Sequence, residues 1–163
     1  MVRADGDPWV APFARLVEGL GGSSAAAVAV EAVREGFLCH HDTPRTLILE
    51  DRDHGLLAGD LLYAIGLREL ALAGDPEAVA TLADLIRLVS ERVGSGEKEA
   101  IVALWLGQTT ALGVGSDDRH RAALEALEAG RDETGEQLSE WSREVAASTG
   151  AKEALSEAAQ ALQ

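Results

Sequence analysis

The stretch "GDPEAVATLADLIRLVSERVG", residues 74–94, places the strongest constraint on what this chain can fold into. Asp75 is a suitable N-cap, and Pro76 fits the first helical position, where a missing backbone N–H costs nothing. Apolar residues then recur every three or four positions, with charged residues on the other side. The apolar stripe comprises Val79, Leu82, Leu85, Ile86, Leu88, Val89 and Val93. This pattern predicts an amphipathic helix with one buried face.

Helical signals of this kind cover most of the chain, and strand signals are nearly absent. Apolar spacings of three and four begin at Trp9, and Ser23 or Ser24 is placed to cap the Ala- and Val-rich helix that follows. Ser95 is expected to cap the helix over "GEKEAIVALWLGQTTALGVG". Hydrophobic residues make up 47% of the chain but aromatic residues only 4%, so the core must consist mainly of Ala, Leu and Val. Such a composition favours helices that pack closely through small side chains.

These signals predict an all-α, single-domain helical bundle of about six to eight helices. A chain of 163 residues fits one domain and is long enough to bury a core of its own. Residues 1–115 are expected to form the helical core. Residues 116–163 are expected to form C-terminal amphipathic helices, rich in Ala and Glu, that pack on the core or extend it.

The charge of the chain restricts its partners. A net charge of −14 repels phosphate backbones and anionic lipid surfaces, so nucleic acid is not an expected partner. Apolar segments are interrupted within about a dozen residues, short of the roughly 20 that span a bilayer, so no transmembrane segment is expected. A single cysteine and the absence of a signal-peptide pattern predict a cytoplasmic protein.

Potential metal ligands are concentrated in "LCHHDTPRTLILEDRDHGLLAGD", residues 38–60. The candidates are His40, His41, Asp42, Glu50, Asp51, Asp53, His54 and Asp60. The segment contains no H-E-x-x-H motif, which places two histidine ligands on one face of a helix. A solvated loop explains the same residues, with Asp51 or Asp53 capping a helix that begins near His54. Cys39 has histidine neighbours in sequence, but adjacent residues on a helix point apart, so a core role is expected for this thiol.

The order of these features resembles the front half of the trans-isoprenyl diphosphate synthases, or polyprenyl synthetases. An Ala-rich helix ends in "FLCHHDTP", a polar loop follows, and "GLLAGDLLYAIGLREL" leads to a Gly-Asp-Pro helix start. The similarity is closest over "LLAGDLLYAIGLRELALAGDPEAVATLADLI" and weaker from about Gly19 to Leu112. The resemblance implies an isoprenoid-synthase-like partial bundle, because the chain has about half the length typical of that family.

In that family an Asp-Asp-x-x-Asp motif holds Mg²⁺ ions that bridge an allylic diphosphate. When the motif is laid on "CHHDTPR", its first aspartate becomes His41, its second remains Asp42 and its last becomes Arg45. Pro44 lies inside the motif, where it disturbs helical geometry. With Asp60 of the "LAGD" segment, these positions form the candidate remnant of a metal and diphosphate site: His41, Asp42, Arg45 and Asp60.

The other functional positions of the family are also replaced. The only Asp pair downstream that could represent the family's second Asp-rich motif is Asp117-Asp118, but it follows Gly115 and Ser116 and has the pattern of a helix N-cap. Gln108 replaces the lysine of the family's Lys-Thr helix. No catalytic residue is therefore assigned from the resemblance.

Three hypotheses follow. The first is a catalytically inactive polyprenyl-synthetase-like protein that acts as an association or regulatory subunit, as a homodimer or with a full-length prenyl synthase, and needs no cofactor. The second is a component of a prenyl diphosphate synthase that uses Mg²⁺ for prenyl transfer. The third is a module that binds an apolar small molecule between its helices.

Overall fold

The computed structural model describes residues 11–163, and Trp9 lies outside that part of the chain. Those residues form eight helices and no β-strand, which confirms the predicted all-α bundle of six to eight helices in a single domain. The helices are α1 (Pro12–Gly19), α2 (Ser24–His41), α3 (Arg52–Leu72), α4 (Pro76–Ser95), α5 (Lys98–Val114), α6 (Asp118–Glu128), α7 (Glu136–Thr149) and α8 (Lys152–Gln160). Within residues 11–163, no helix combines the length and the apolar content required to cross a membrane.

Helices α2 and α3 form the closest pair in the fold. Ser23 caps α2, as predicted, by accepting a hydrogen bond from the backbone N–H of Ala26 at 3.1 Å. A Cβ atom placed at Gly59 of α3 would lie 3.0 Å from the carbonyl oxygen of Gly36. One placed at Gly66 would lie 2.9 Å from the carbonyl oxygen of Ala29. The two backbones therefore approach each other at positions where α3 has no side chain.

Helices α4 and α5 pack against each other behind this pair. Asp75 caps α4 as predicted, with its carboxylate accepting from the backbone N–H of Ala78 at 2.9 Å. The predicted Ser95 cap of α5 is wrong, because Ser95 is the last residue of α4 and Glu97 occupies the N-cap position of α5. Gly96 follows as the C-cap and ends α4 in a left-handed conformation (φ 75°) that glycine adopts without strain.

The last three helices pack on α5 and α1. Asp117 caps α6 by accepting from the backbone N–H of His120 at 2.8 Å. Helix α7 lies against α5, where the side chain of Leu138 fills the space over Gly107 and Trp141 is buried. Helix α8 lies against α1, and the two ends of the described chain are thus neighbours.

Three aromatic rings from three helices meet in the core. The Trp105 ring lies 5.4 Å from that of Phe13 and 5.5 Å from that of Phe37, between centroids. The guanidinium of Arg34 on α2 lies over all three rings, 5.0 Å from the Trp105 centroid. This cation–π arrangement places a charged group inside the bundle and connects α1, α2 and α5.

Candidate functional site

The candidate segment forms a groove where α2 ends, the following loop folds back and α3 begins. The groove has a volume of about 560 Å³ and is open to solvent. Cys39, His40, His41 and Asp42 line it from the end of α2, and Asp51 lines it from the start of α3. Two of the four residues predicted as a metal and diphosphate remnant, His41 and Asp42, therefore share this groove, whereas Arg45 and Asp60 are not among its lining residues.

His41 and Asp42 are exposed and have separate contacts. The His41 ring packs on Phe37 at 4.7 Å between centroids. Partial burial and the neighbouring His40 lower the pKa of His41, which favours the neutral imidazole. The carboxylate of Asp42 accepts a hydrogen bond from the backbone N–H of Thr43 at 2.7 Å. This pair provides one nitrogen and one carboxylate toward solvent.

Arg45 points away from the groove and onto α2. Its Nη2 donates to Glu31 Oε2 at 3.0 Å, and its Nε donates to Glu35 Oε2 at 3.1 Å. Both glutamate side chains are almost fully buried, and about a quarter of the Arg45 side chain is exposed. Breaking such a pair leaves an uncompensated buried charge, so the guanidinium holds the loop against α2.

The two buried glutamates also bind backbone groups. Glu31 accepts from the first-turn N–H groups of Phe13, at 2.8 Å, and Ala14, at 3.1 Å, which the N-terminus of α1 leaves without helical partners. Glu35 accepts from the backbone N–H and the hydroxyl of Thr46. Burial raises the pKa of Glu35, but the hydrogen bonds from Thr46 and Arg45 outweigh this effect and leave the pKa below its usual value. Both carboxylates therefore link α2 to other parts of the fold, Glu31 to α1 and Glu35 to the loop.

Asp60 lies one helical turn above the groove, beside His40. Its Oδ1 is 3.2 Å from His40 Nε2, although the two groups do not meet hydrogen-bond geometry. The His40 ring stacks on Tyr63 of α3 at 5.2 Å. Asp60 itself is largely exposed. Its contact with α2 thus lies at the edge of the glycine-lined helix pair.

The other acidic candidates have structural contacts at the start of α3. Asp51 is the N-cap, as predicted, and accepts from the backbone N–H of His54 at 2.9 Å. The pKa of Asp51 is lowered, chiefly by that hydrogen bond. Glu50 and Asp53 are exposed beside it.

Burial and the nearby Glu35 carboxylate raise the pKa of the Cys39 thiol, which keeps it protonated and weakly nucleophilic.

The geometry does not fit the Mg²⁺ site that the resemblance implies. Such a site needs several carboxylate oxygens converging on the ions and basic groups for the diphosphate. In the groove, Asp42 and Asp51 come from different helices, and His41 offers a nitrogen that Mg²⁺ disfavours. Arg45 is already bound by two glutamates. Across residues 11–163, no group of three or more His, Cys, Asp and Glu side chains is close enough to hold a metal ion.

The sequence reasoning missed the charged residues of α2. Glu31, Arg34 and Glu35 are all buried, although they lie in a helix dominated by Ala and Val. Burial, together with the Arg45 charge, lowers the pKa of Arg34 to about 10. A signal was present, because spacings of three and four put these residues on one side of an otherwise apolar helix. Charged residues in such a helix need partners from elsewhere in the fold.

Comparison of the chain with protein-family models, with curated proteins and with solved structures finds no match. The resemblance to the polyprenyl synthetases therefore stays a prediction from the sequence.

Proposed function

We propose that this protein is a non-catalytic association protein, built on a scaffold similar to that of the polyprenyl synthetases, and that it pairs with a second copy of itself through the outer face of α3. The observation that carries the proposal is the exposure of three leucines on that helix. Leu57, Leu61 and Leu72 are 68%, 61% and 68% exposed.

The three leucines lie on one stripe along α3. Leu57, Leu61, Ala64, Arg68 and Leu72 follow one another at spacings of four, three, four and four, which keeps them on one face. We call this set the outer stripe. At about 100° per residue, Gly59 and Gly66 lie on the opposite side of the helix, against α2. The inner face of α3 is thus occupied by α2, and its outer face holds apolar surface of the kind that marks interaction sites.

Two charges, Arg68 within the outer stripe and Asp60 beside it, favour a second copy in an antiparallel orientation. Asp60 precedes Ala64 by four residues and Arg68 follows it by four, so each lies about 6 Å along the axis from Ala64. If Ala64 meets its own copy on a two-fold axis, Asp60 of each copy lies level with Arg68 of the other. The same face then serves both copies, as a two-fold interface requires. Both charged side chains are more than half exposed.

The ion pairs of Arg45 support the non-catalytic part of the proposal. The guanidinium at the position of the family's last motif aspartate is used to anchor the loop to Glu31 and Glu35. A cation held in this way is not presented to a diphosphate in the neighbouring groove. In this chain, the segment laid on the family's metal-binding motif instead contacts α2 through Arg45.

Sedimentation equilibrium of the purified chain tests the association. We expect a particle of twice the 17.1 kDa chain mass at micromolar concentrations. The double variant Leu57→Glu/Leu61→Glu is expected to sediment as a monomer, because it buries two carboxylates in the contact. The matched control Val28→Glu/Val114→Glu changes two exposed apolar residues outside α3 and is expected to leave the mass unchanged. A monomeric wild-type chain would refute self-association.

Charge exchange tests the orientation of the two copies. Asp60→Arg and Arg68→Asp, made separately, place like charges opposite each other and are expected to weaken the dimer. The combined variant Asp60→Arg/Arg68→Asp restores opposite charges and is expected to recover it. If the combined variant is as weak as the single ones, the antiparallel arrangement about Ala64 is wrong. If the Leu57→Glu/Leu61→Glu variant remains a dimer, the contact between the copies does not involve the outer face of α3.

A second candidate function is a component of a Mg²⁺-dependent prenyl diphosphate synthase. The observation in its favour is that His41 and Asp42 line the same solvent-open groove. Calorimetric titration of farnesyl diphosphate with Mg²⁺ tests this function. Heat that depends on both Mg²⁺ and diphosphate, and that His41→Ala/Asp42→Ala abolishes, would support the enzyme. Equal weak heats for the wild type and the double variant would reject it.

A further inference from the structure

A second groove lies on the far side of the bundle, between α5, α7 and α8. Its volume is about 480 Å³, within the range of pockets that bind small molecules. Val102 and Leu106 of α5 and Leu155 and Ala159 of α8 supply its apolar lining. None of these residues belongs to the segment between residues 38 and 60, so the groove is separate from the candidate site described above.

The two cations and the two leucines that line this groove differ in exposure. Leu106 and Leu155 are buried, whereas Arg143 of α7 and Lys152 of α8 line the groove and are exposed to solvent. Exposed lining residues form the rim of a groove, and buried ones form its floor. The groove thus combines an apolar floor with a cationic rim, and this arrangement matches a molecule with an apolar body and an anionic head.

The two cations differ in how far they are neutralised. Arg143 Nη2 donates to Glu136 at 2.7 Å. For Lys152, no carboxylate of residues 11–163 lies within ion-pair distance of the ammonium. The rim therefore carries a net positive charge in a chain whose net charge is −14. At physiological salt the screening length is about 8 Å, so carboxylates farther away than this have a reduced effect on a head group bound at the rim.

Hydroxyl groups extend the polar side. Ser139 and Ser142 of α7 and Ser156 of α8 also line the groove. The buried Ser142 hydroxyl donates to the carbonyl of Leu138 at 2.9 Å, so its proton is not available to a bound anion. Ser156 is exposed and offers a hydroxyl donor beside Lys152. An oxyanion at the rim would meet charged and neutral donors together.

We propose that this groove binds a single-chain anionic amphiphile, a carboxylate with an alkyl tail, whose tail lies on Leu106 and Leu155 and whose head group pairs with Lys152 and Arg143. The rim charge selects an anion over a cation of the same length. The apolar floor selects a tailed anion over acetate. This ligand site is independent of the self-association proposed for α3.

Titration calorimetry with three ten-carbon probes tests the charge selection. Decanoate is expected to bind, decanol to bind more weakly, and decyltrimethylammonium to give no heat above dilution. Acetate serves as the control without a tail and is expected not to bind. Equal affinity for decanoate and decyltrimethylammonium would overturn the proposal, and so would the absence of decanoate binding.

Variants of the groove locate the bound molecule. Lys152→Gln is expected to weaken decanoate binding about fivefold, the effect of one exposed ion pair, and to leave decanol unchanged. Arg52→Gln removes an exposed cation at the start of α3 and is expected to leave both affinities unchanged. Ser156→Trp places a large ring in the groove and is expected to abolish binding of both probes.

Sedimentation of the same variants separates this proposal from the association. Ser156→Trp is expected to keep the mass of the wild type, because the groove is not the contact between copies. If Ser156→Trp lowered the mass and decanoate did not bind, the groove would be a protein contact, and the ligand proposal would be wrong. Loss of the dimer in the Leu57→Glu/Leu61→Glu variant with decanoate binding retained would confirm that the two sites are independent.

Discussion

His120 is a buried histidine whose titration makes the stability of the fold depend on pH. It is 2% exposed, and both ring nitrogens are hydrogen-bonded, Nε2 to Gln108 Oε1 and Nδ1 to Ser116 Oγ, each at 2.7 Å. Burial lowers the pKa of His120 to about 4, against the opposing effect of Asp117 and with a smaller contribution from Arg121. The imidazole is therefore neutral in the folded protein at pH 7.

The sign and the size of the effect follow from this shift. The unfolded chain binds a proton at His120 below about pH 6.5, whereas the folded chain binds it only near pH 4. The contribution of His120 is fully present above pH 6.5 and is lost as the pH falls toward 4. Complete loss corresponds to about 3 kcal/mol, and the loss between pH 7 and pH 5 to about 2 kcal/mol.

Urea unfolding at pH 7, 6 and 5 measures this loss. His120→Gln keeps a side chain able to hydrogen-bond Gln108 and Ser116 but does not titrate, so its free energy of unfolding is expected to fall by about 2 kcal/mol less over this range. The pKa of the His120 ring, followed by NMR, provides an independent measure. The reasoning is refuted if wild type and His120→Gln lose the same stability.

Two further predictions concern the contacts of α2. Gly66→Ala brings a methyl group against the backbone carbonyl of Ala29 and is expected to lower the free energy of unfolding by about 1–3 kcal/mol. Gly94→Ala, in open space on α4, is expected to raise it by about 0.5–1 kcal/mol. Urea unfolding measures both changes, and equal effects would contradict the close approach of α2 and α3. Arg45→Met leaves the two buried glutamates of α2 without their cation and is expected to cost about 2–3 kcal/mol, while the exposed control Arg52→Met is expected to cost less than about 0.5 kcal/mol. A loss below that of the control would show that Arg45 does not neutralise these carboxylates.

Helix caps were predictable from the sequence because they are local. Ser23, Asp51, Asp75 and Asp117 each accept a hydrogen bond from a backbone N–H three residues ahead, so their role depends on nearby residues alone. Ser95 shows where local reasoning fails. Its hydroxyl donates back to the carbonyl of Arg92, because α4 continues to the left-handed turn at Gly96. Both Ser95 and Glu97 precede α5, and the left-handed turn at Gly96 leaves Glu97 at the N-cap position.

The candidate site was predictable in its location but not in its contacts. The sequence identified the segment after α2, and His41 and Asp42 do share a groove there. It could not indicate that Arg45 binds Glu31 and Glu35, fourteen and ten residues earlier. That contact depends on how the loop folds over α2, which no local pattern encodes. The same holds for Arg34, because two of its three aromatic partners, Phe13 and Trp105, lie on α1 and α5 and not on its own helix.

The pairing of α1 with α8 has a consequence for synthesis on the ribosome. Arg15 and Glu157 form an ion pair across 142 positions of sequence, and α1 cannot bury this side until α8 has been made. Helix α1 therefore waits for α8, whose contact residue is 142 positions later, while α2 and α3 can already pair. Contacts of such long range slow folding and leave apolar surface open to aggregation during translation. A ribosome-stalled chain that ends before α8 is expected to remain sensitive to protease within α1.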